Sequence, residues 1–355
     1  MRIGIITVYN SHNYGSYLQA SCLKRELEQF GDVVFYNSKS RGLIRSYLRK
    51  IKKIVKSKVR NLDIVKGALF ELVEMFRLKK CWSSLNSTLV TDGIDVAVLG
   101  SDEIWNLGRE VCRYPVYWGA NILAYKIAYA PSINTANKGD IDQFPDYINY
   151  LKYINNVSVR DTHSREILAS YLNSEPKIVL DPTLLFPVTT WTNEATCFKD
   201  KRYIAVYLFY GSLSTEEINA IIGFAKKKHM PLVSAGQYIS WCDYSVHSKN
   251  GDPFWIFKSA SFVITNTFHG VAFAINHSTQ FVALVKGKTK VEGLLEMFEL
   301  SNRIANNPTD ISIILDTSID YYNINHTLIR YRKMSRQYLL DSFTEYQRQR
   351  SIDEK

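Results

Sequence analysis

Short, apolar, β-branched runs recur along this chain, and most are followed by a segment long enough for a helix. RIGIITV (2–8), DVVFY (32–36), DVAVLG (95–100), KIAYA (126–130), NVSVR (156–160) and KIVLD (177–181) form a first series. RYIAVYLFY (202–210), PLVSA (231–235), FVIT (262–265) and FVALV (281–285) form a second. Strands alternating with helical stretches argue for parallel sheets flanked by helices, and so for an α/β chain. Helices are expected at about 16–30, 62–80, 164–173, 215–228, 253–260 and 269–277. The rhythm changes near 186–201, which divides the chain into two Rossmann-like domains, 1–187 and 188–324, with a cleft between them. A last helix, within 325–355 and rich in Tyr, Arg and Gln, is expected to return onto the first half.

Open α/β sheets carry their chemistry just past the carboxyl ends of the strands, so the strand ends become the list of candidates. The first, NSHNYGSYLQA (10–20), offers Asn13, Tyr14, Gly15 and Ser16. Gly15 permits a turn and Ser16 is the expected helix cap. In LGSDEIWN (99–106), Asp102 can orient or deprotonate a hydroxyl, and Asn106 stands close by. Trp105 offers a flat apolar face to a sugar, or alternatively fills the core. Arg160 closes NVSVR and suits a carboxylate or phosphate, unless it serves in a buried structural pair. Asp181, before Pro182, reads as a turn former.

In the second half, FVITNTFHGVAFAINH (262–277) places Thr267, His269 and Gly270 between a strand and a helix whose free N–H groups favour an anion. A core histidine is the competing reading. Lys286, Lys290 and Arg303 follow the next strand and are candidate cations for an anionic ligand.

A chain of 355 residues with 46% hydrophobic content has material for two cores. No stretch of about 18 apolar residues or long apolar leader occurs, so a cytoplasmic location is expected. Five scattered cysteines without CxxC spacing suggest free thiols and no metal site. The net charge of +10 has one source: residues 39–60 hold ten Lys or Arg and no acid. This argues against a nucleic-acid protein. It fits a local cationic, imperfectly amphipathic helix resting on an anionic membrane surface, or alternatively a solvated lid.

In order, NYGSYLQA, GSDEIWN, SVRD, VLDPTLL and TNTFHG resemble the motifs of the polysaccharide pyruvyl transferase family, over residues 3 to 303 or so. The resemblance implies a fold similar to the GT-B glycosyltransferases. It also implies transfer of a pyruvyl group from phosphoenolpyruvate to a sugar hydroxyl pair of a bacterial surface polysaccharide precursor, with no metal or cofactor. In that scheme His269 and Asp102 are catalytic. Arg160, Lys286, Lys290, Arg303, Thr267 and Gly270 bind the donor, while Asn13, Tyr14, Gly15, Ser16, Trp105 and Asn106 bind the acceptor. A lipid-linked saccharide would be reached from the membrane face. Members of the family carry arginine two positions before the histidine; here Thr267 stands in its place. A sugar-nucleotide glycosyltransferase and a non-catalytic subunit of an assembly complex are the alternatives.

Overall fold

The computed structural model describes residues 1–36, 62–85, 89–187, 202–209, 213–250, 252–285, 287 and 289–354. The cationic segment 39–60 and Lys286 lie outside the described residues. The first sheet contains β1 (Arg2–Ile6), β2 (Asp32–Tyr36), β3 (Leu89–Val90), β4 (Val96–Leu99), β5 (Tyr125–Ala128), β6 (Asn156–Val159) and β7 (Lys177–Ile178), ordered β3-β2-β1-β4-β5-β6-β7. The second contains β8 (Ile204–Tyr207), β9 (Leu232–Ala235), β10 (Tyr244–Val246), β11 (Phe262–Thr265) and β12 (Gln280–Ala283), ordered β10-β9-β8-β11-β12. Every strand pairing among the described residues is parallel.

The strand order reverses between β1 and β4 in one sheet and between β8 and β11 in the other. Such a reversal sends the flanking connections apart and leaves a crevice at the strand ends. Central strands β4 and β8 are buried along their whole length. Burying each of their Val, Ile or Leu side chains contributes on the order of 1.5–3 kcal/mol.

Five helices position the site or join the halves: α1 (Tyr14–Leu27), α2 (Leu62–Ser84), α3 (Phe268–Asn276), α4 (Thr289–Met297) and α5 (Tyr321–Asp353). One continuous buried cluster runs from Ile5 and Leu18 in the first half to Val271 and Leu295 in the second. The 33-residue α5 spans both halves. At its start Tyr321 donates to the Thr279 carbonyl. Farther along, Arg336 pairs with Glu26 at 2.9 Å and Tyr338 donates to the Ala128 carbonyl at 2.9 Å. Strand β7 is shorter than the KIVLD run. The Leu180 amide bonds the Ser335 hydroxyl of α5 instead of a strand, and Asp181 already caps the next turn. Among the described residues, no helix is long and apolar enough to cross a membrane.

Candidate active site

The ends of β1, β4 and β6 face the ends of β8 and β11 across a cavity of about 680 Å³. Both sheet reversals therefore open onto the same space. Asn13, Tyr14, Ser16, Asp102, Arg160, Thr267, His269 and Lys290 all line it.

On the β1 side, Asn13 caps α1 by accepting the Gly15 amide at 2.8 Å. Ser16, the expected cap, lies inside the first turn because Asn13 already has the reach. Its hydroxyl is freed to donate to Asp102 Oδ2 at 2.7 Å. Asp102 follows β4 with a left-handed φ of 79°. Its other oxygen accepts the Glu103 amide at 2.8 Å. Burial pushes the Asp102 pKa up, but Arg160, Lys290, His269 and the Ser16 hydroxyl outweigh it and hold the carboxyl below its usual value. At neutral pH Asp102 is an ionised acceptor.

Arg160 is both things the sequence allowed. Its Nη1 donates to Asp181 Oδ2 at 2.8 Å in a buried pair. Its Nε and Nη2 have no partner, although both are buried. The guanidinium crosses from the first half to the second, where its carbon lies 4.3 Å from the centre of the Phe268 ring. Asp181 does more than form a turn. It accepts from Thr183 N and Ser101 Oγ as well as Arg160, and lies 3.9 Å from His269 Nε2.

Thr267 caps α3, accepting the Gly270 amide at 2.9 Å, and this places His269 in the first turn. Nε2 of His269 is buried without a hydrogen-bond partner. The ring packs directly over the α1 backbone. A Cβ on Gly15 would lie 2.1 Å from His269 Nδ1, so only glycine allows this approach. Burial lowers the His269 pKa, with Asp181 and Asp102 opposing the shift; the resting imidazole is neutral. Lys290, from α4, reaches within 3.9 Å of Glu103 Oε1.

Four candidates fall elsewhere. Trp105 is fully buried, stacked on Trp118, and donates to the Tyr117 carbonyl, so it has no face for a sugar. Asn106 is buried beneath the loop beside Glu103. Gly270 is packed against Thr265, whose Oγ1 would lie 2.0 Å from an added Cβ. Arg303 is buried beside the edge strand β12, where it donates to the Phe281 and Thr317 carbonyls. Each sits near a strand end, but proximity in sequence does not fix which way a side chain turns.

Glu74 was not anticipated. This buried acid on α2 lines the cavity and binds Tyr14 Oη, the Ser248 amide and His247 Nδ1, so α2 is tied to the second half. Two acids in the apolar run FELVEMF were the available signal. Tyr207, Phe209, Gly236 and Gln237 complete the wall on the second side.

The arrangement joins an ionised carboxylate, a neutral imidazole, a guanidinium with two unengaged nitrogens and two helix N-termini. It suits an anionic ligand and a hydroxyl that must lose a proton.

The chain is similar in structure to a putative UDP-N-acetylglucosamine 2-epimerase from Listeria monocytogenes, at 10% identity and a TM-score of 0.58, over 98% of this chain and 96% of that one. It also resembles the glycotransferase of kitacinnamycin, at 10% identity and a TM-score of 0.51, over 98% of both chains. Arabidopsis thaliana UGT89C1 in complex with UDP aligns at 12% identity and a TM-score of 0.50, over 97% of this chain and 99% of that one. These likenesses establish the fold as two Rossmann-like domains of the GT-B kind. No curated protein matches the sequence. The family model for polysaccharide pyruvyl transferase matches residues 13–285, a span that runs from the start of α1 past β12 and holds most of the cavity wall, and the chain belongs to that family.

Proposed function

We propose that this protein transfers a pyruvyl group from phosphoenolpyruvate to two hydroxyls of a sugar in a bacterial surface polysaccharide precursor, leaving a cyclic ketal and inorganic phosphate. The observation that carries the reading is Arg160. Its Nε and Nη2 are unpartnered in the cavity wall, beside a neutral His269 and opposite the ionised Asp102.

In this scheme one sugar hydroxyl adds to C2 of the enol phosphate while C3 gains a proton. The second hydroxyl then displaces phosphate at C2, and each hydroxyl gives up its proton. Asp102 accepts a hydroxyl proton, with Ser16 holding its second oxygen in place. Arg160 and Lys290 meet the donor's carboxylate and phosphate. Thr267 occupies the position where the family carries arginine, and the guanidinium of Arg160 arrives at the same loop from the other half. His269 rests neutral, and a dianionic phosphate beside it would raise its pKa, so its proton arrives with the donor.

The donor is tested by thermal shift. Phosphoenolpyruvate at 100 times its Kd should stabilise the protein by about 2.7 kcal/mol. Stabilisation by a nucleotide sugar alone would overturn the reading. His269→Ala should abolish ketal formation while the circular dichroism spectrum stays that of the parent.

A further inference from the structure

Helix α2 has two apolar faces, and only one of them is covered. At 100° per residue Glu74, Leu78 and Trp82 point inward, and all three are buried. Leu62, Val65, Leu69, Val73 and Phe76 fall together on the opposite side. Leu62 is 73% exposed, Leu69 60% and Phe76 60%. A solvent-facing helix of a globular protein normally carries polar residues there. The charged residues that border this stripe are cationic: Lys66, Lys79 and Lys80 flank it and are exposed. Immediately before Leu62 in sequence stand the ten basic residues of 39–60, without an acid among them.

We propose that the outer face of α2 is a docking surface for an anionic lipid bilayer. An apolar stripe with Leu and Phe, bordered by Lys, has the composition of a helix that lies in the headgroup region. The charge of its borders and of the adjoining segment selects anionic lipid. The stripe from Leu62 to Phe76 is roughly 21 Å long at the α-helical rise. Because the inner face of α2 lines the cavity, docking sets the cavity about one helix diameter, roughly 10 Å, from the lipid plane. A second copy of the chain is the competing occupant; the all-cationic border disfavours it, since two such faces would repel.

The test is flotation of the full chain with vesicles of 70% phosphatidylcholine and 30% phosphatidylserine, against vesicles of phosphatidylcholine alone. The parent should float with the anionic vesicles only. L69E/F76E should bind at least about tenfold more weakly, with an unchanged melting temperature because both side chains already face water. K66E/K79E/K80E should lose binding in the same way. Equal flotation of the parent and L69E/F76E would overturn the proposal. So would a parent that ignores both vesicles but sediments as a dimer that L69E/F76E splits. Flotation reads binding without donor or acceptor, so this inference and the pyruvyl-transfer reading fail independently.

Discussion

At Gly15 a single hydrogen in place of a methyl group decides where the imidazole of His269 can lie. In Gly15→Ala the new Cβ would stand 2.1 Å from Nδ1, and the ring must move. A displacement of about 1 Å at a reacting group costs roughly 10²-fold, so kcat/KM should fall by about that factor. The fold should survive, since alanine is accepted in the first turn of α1 and the amide at this position stays free to donate to Asn13. Arg160→Lys keeps the charge opposite Asp181 but loses the planar fork. The KM for the donor should rise roughly tenfold with a smaller change in kcat, measured by steady-state phosphate release. At this scale the sequence was readable wherever backbone position settled the matter. Asp102, Arg160 and His269 each follow a strand, and all three reach the cavity. It was unreadable where the choice lay between cavity and core, as for Trp105, or between two capping residues, as for Asn13 and Ser16.

Among the elements, the strands were the most legible, because β1, β4, β8 and β11 are apolar on both faces and admit few other environments. Strands β3 and β10 went unseen: at two and three residues, on the sheet edges, they carry too little pattern. The loop after β4 shows how an element can mislead. Trp105 has the right residue type for sugar stacking, yet the loop turns it inward against Trp118. Trp105→Phe should therefore cost about 2 kcal/mol of stability, through lost volume and the abandoned Tyr117 carbonyl, and leave acceptor KM unchanged. Chemical denaturation and acceptor titration check the two halves of that statement. Helix α2 was expected from its sequence, but its role as a cavity wall was not, because the Glu74 partners lie 173 and 174 residues away.

For the molecule as a whole, buried titratable groups set the response to pH. Burial holds His277 down to about 3 and also lowers His269. The unfolded chain binds protons that the folded chain refuses, so both groups remove stability as pH falls below about 6.5. Asp252 acts oppositely. Burial raises its carboxyl to about 7, so the stability it contributes in acid is lost as pH rises from about 4 towards 7. Asp252→Asn should raise the melting temperature more at pH 7 than at pH 5 relative to the parent, because the carboxyl's loss of stability over that window is removed. A difference between variant and parent that does not grow from pH 5 to pH 7 would contradict the assignment.

The long reach of α5 also bears on the order in which the protein can be made. Arg336 pairs with Glu26 across 310 residues, and Tyr338 closes onto β5 across 210. At about 5–20 residues per second, Glu26 waits roughly 15–60 s on the ribosome for its partner. The first half thus emerges first but is sealed last, with Phe30 uncovered until Phe343 arrives to stack on it at 4.3 Å. A nascent fragment ending near residue 187 should remain protease-sensitive and prone to aggregate, although it carries every strand of the first sheet. The full chain should acquire protection of both halves in a single step, after synthesis passes α5.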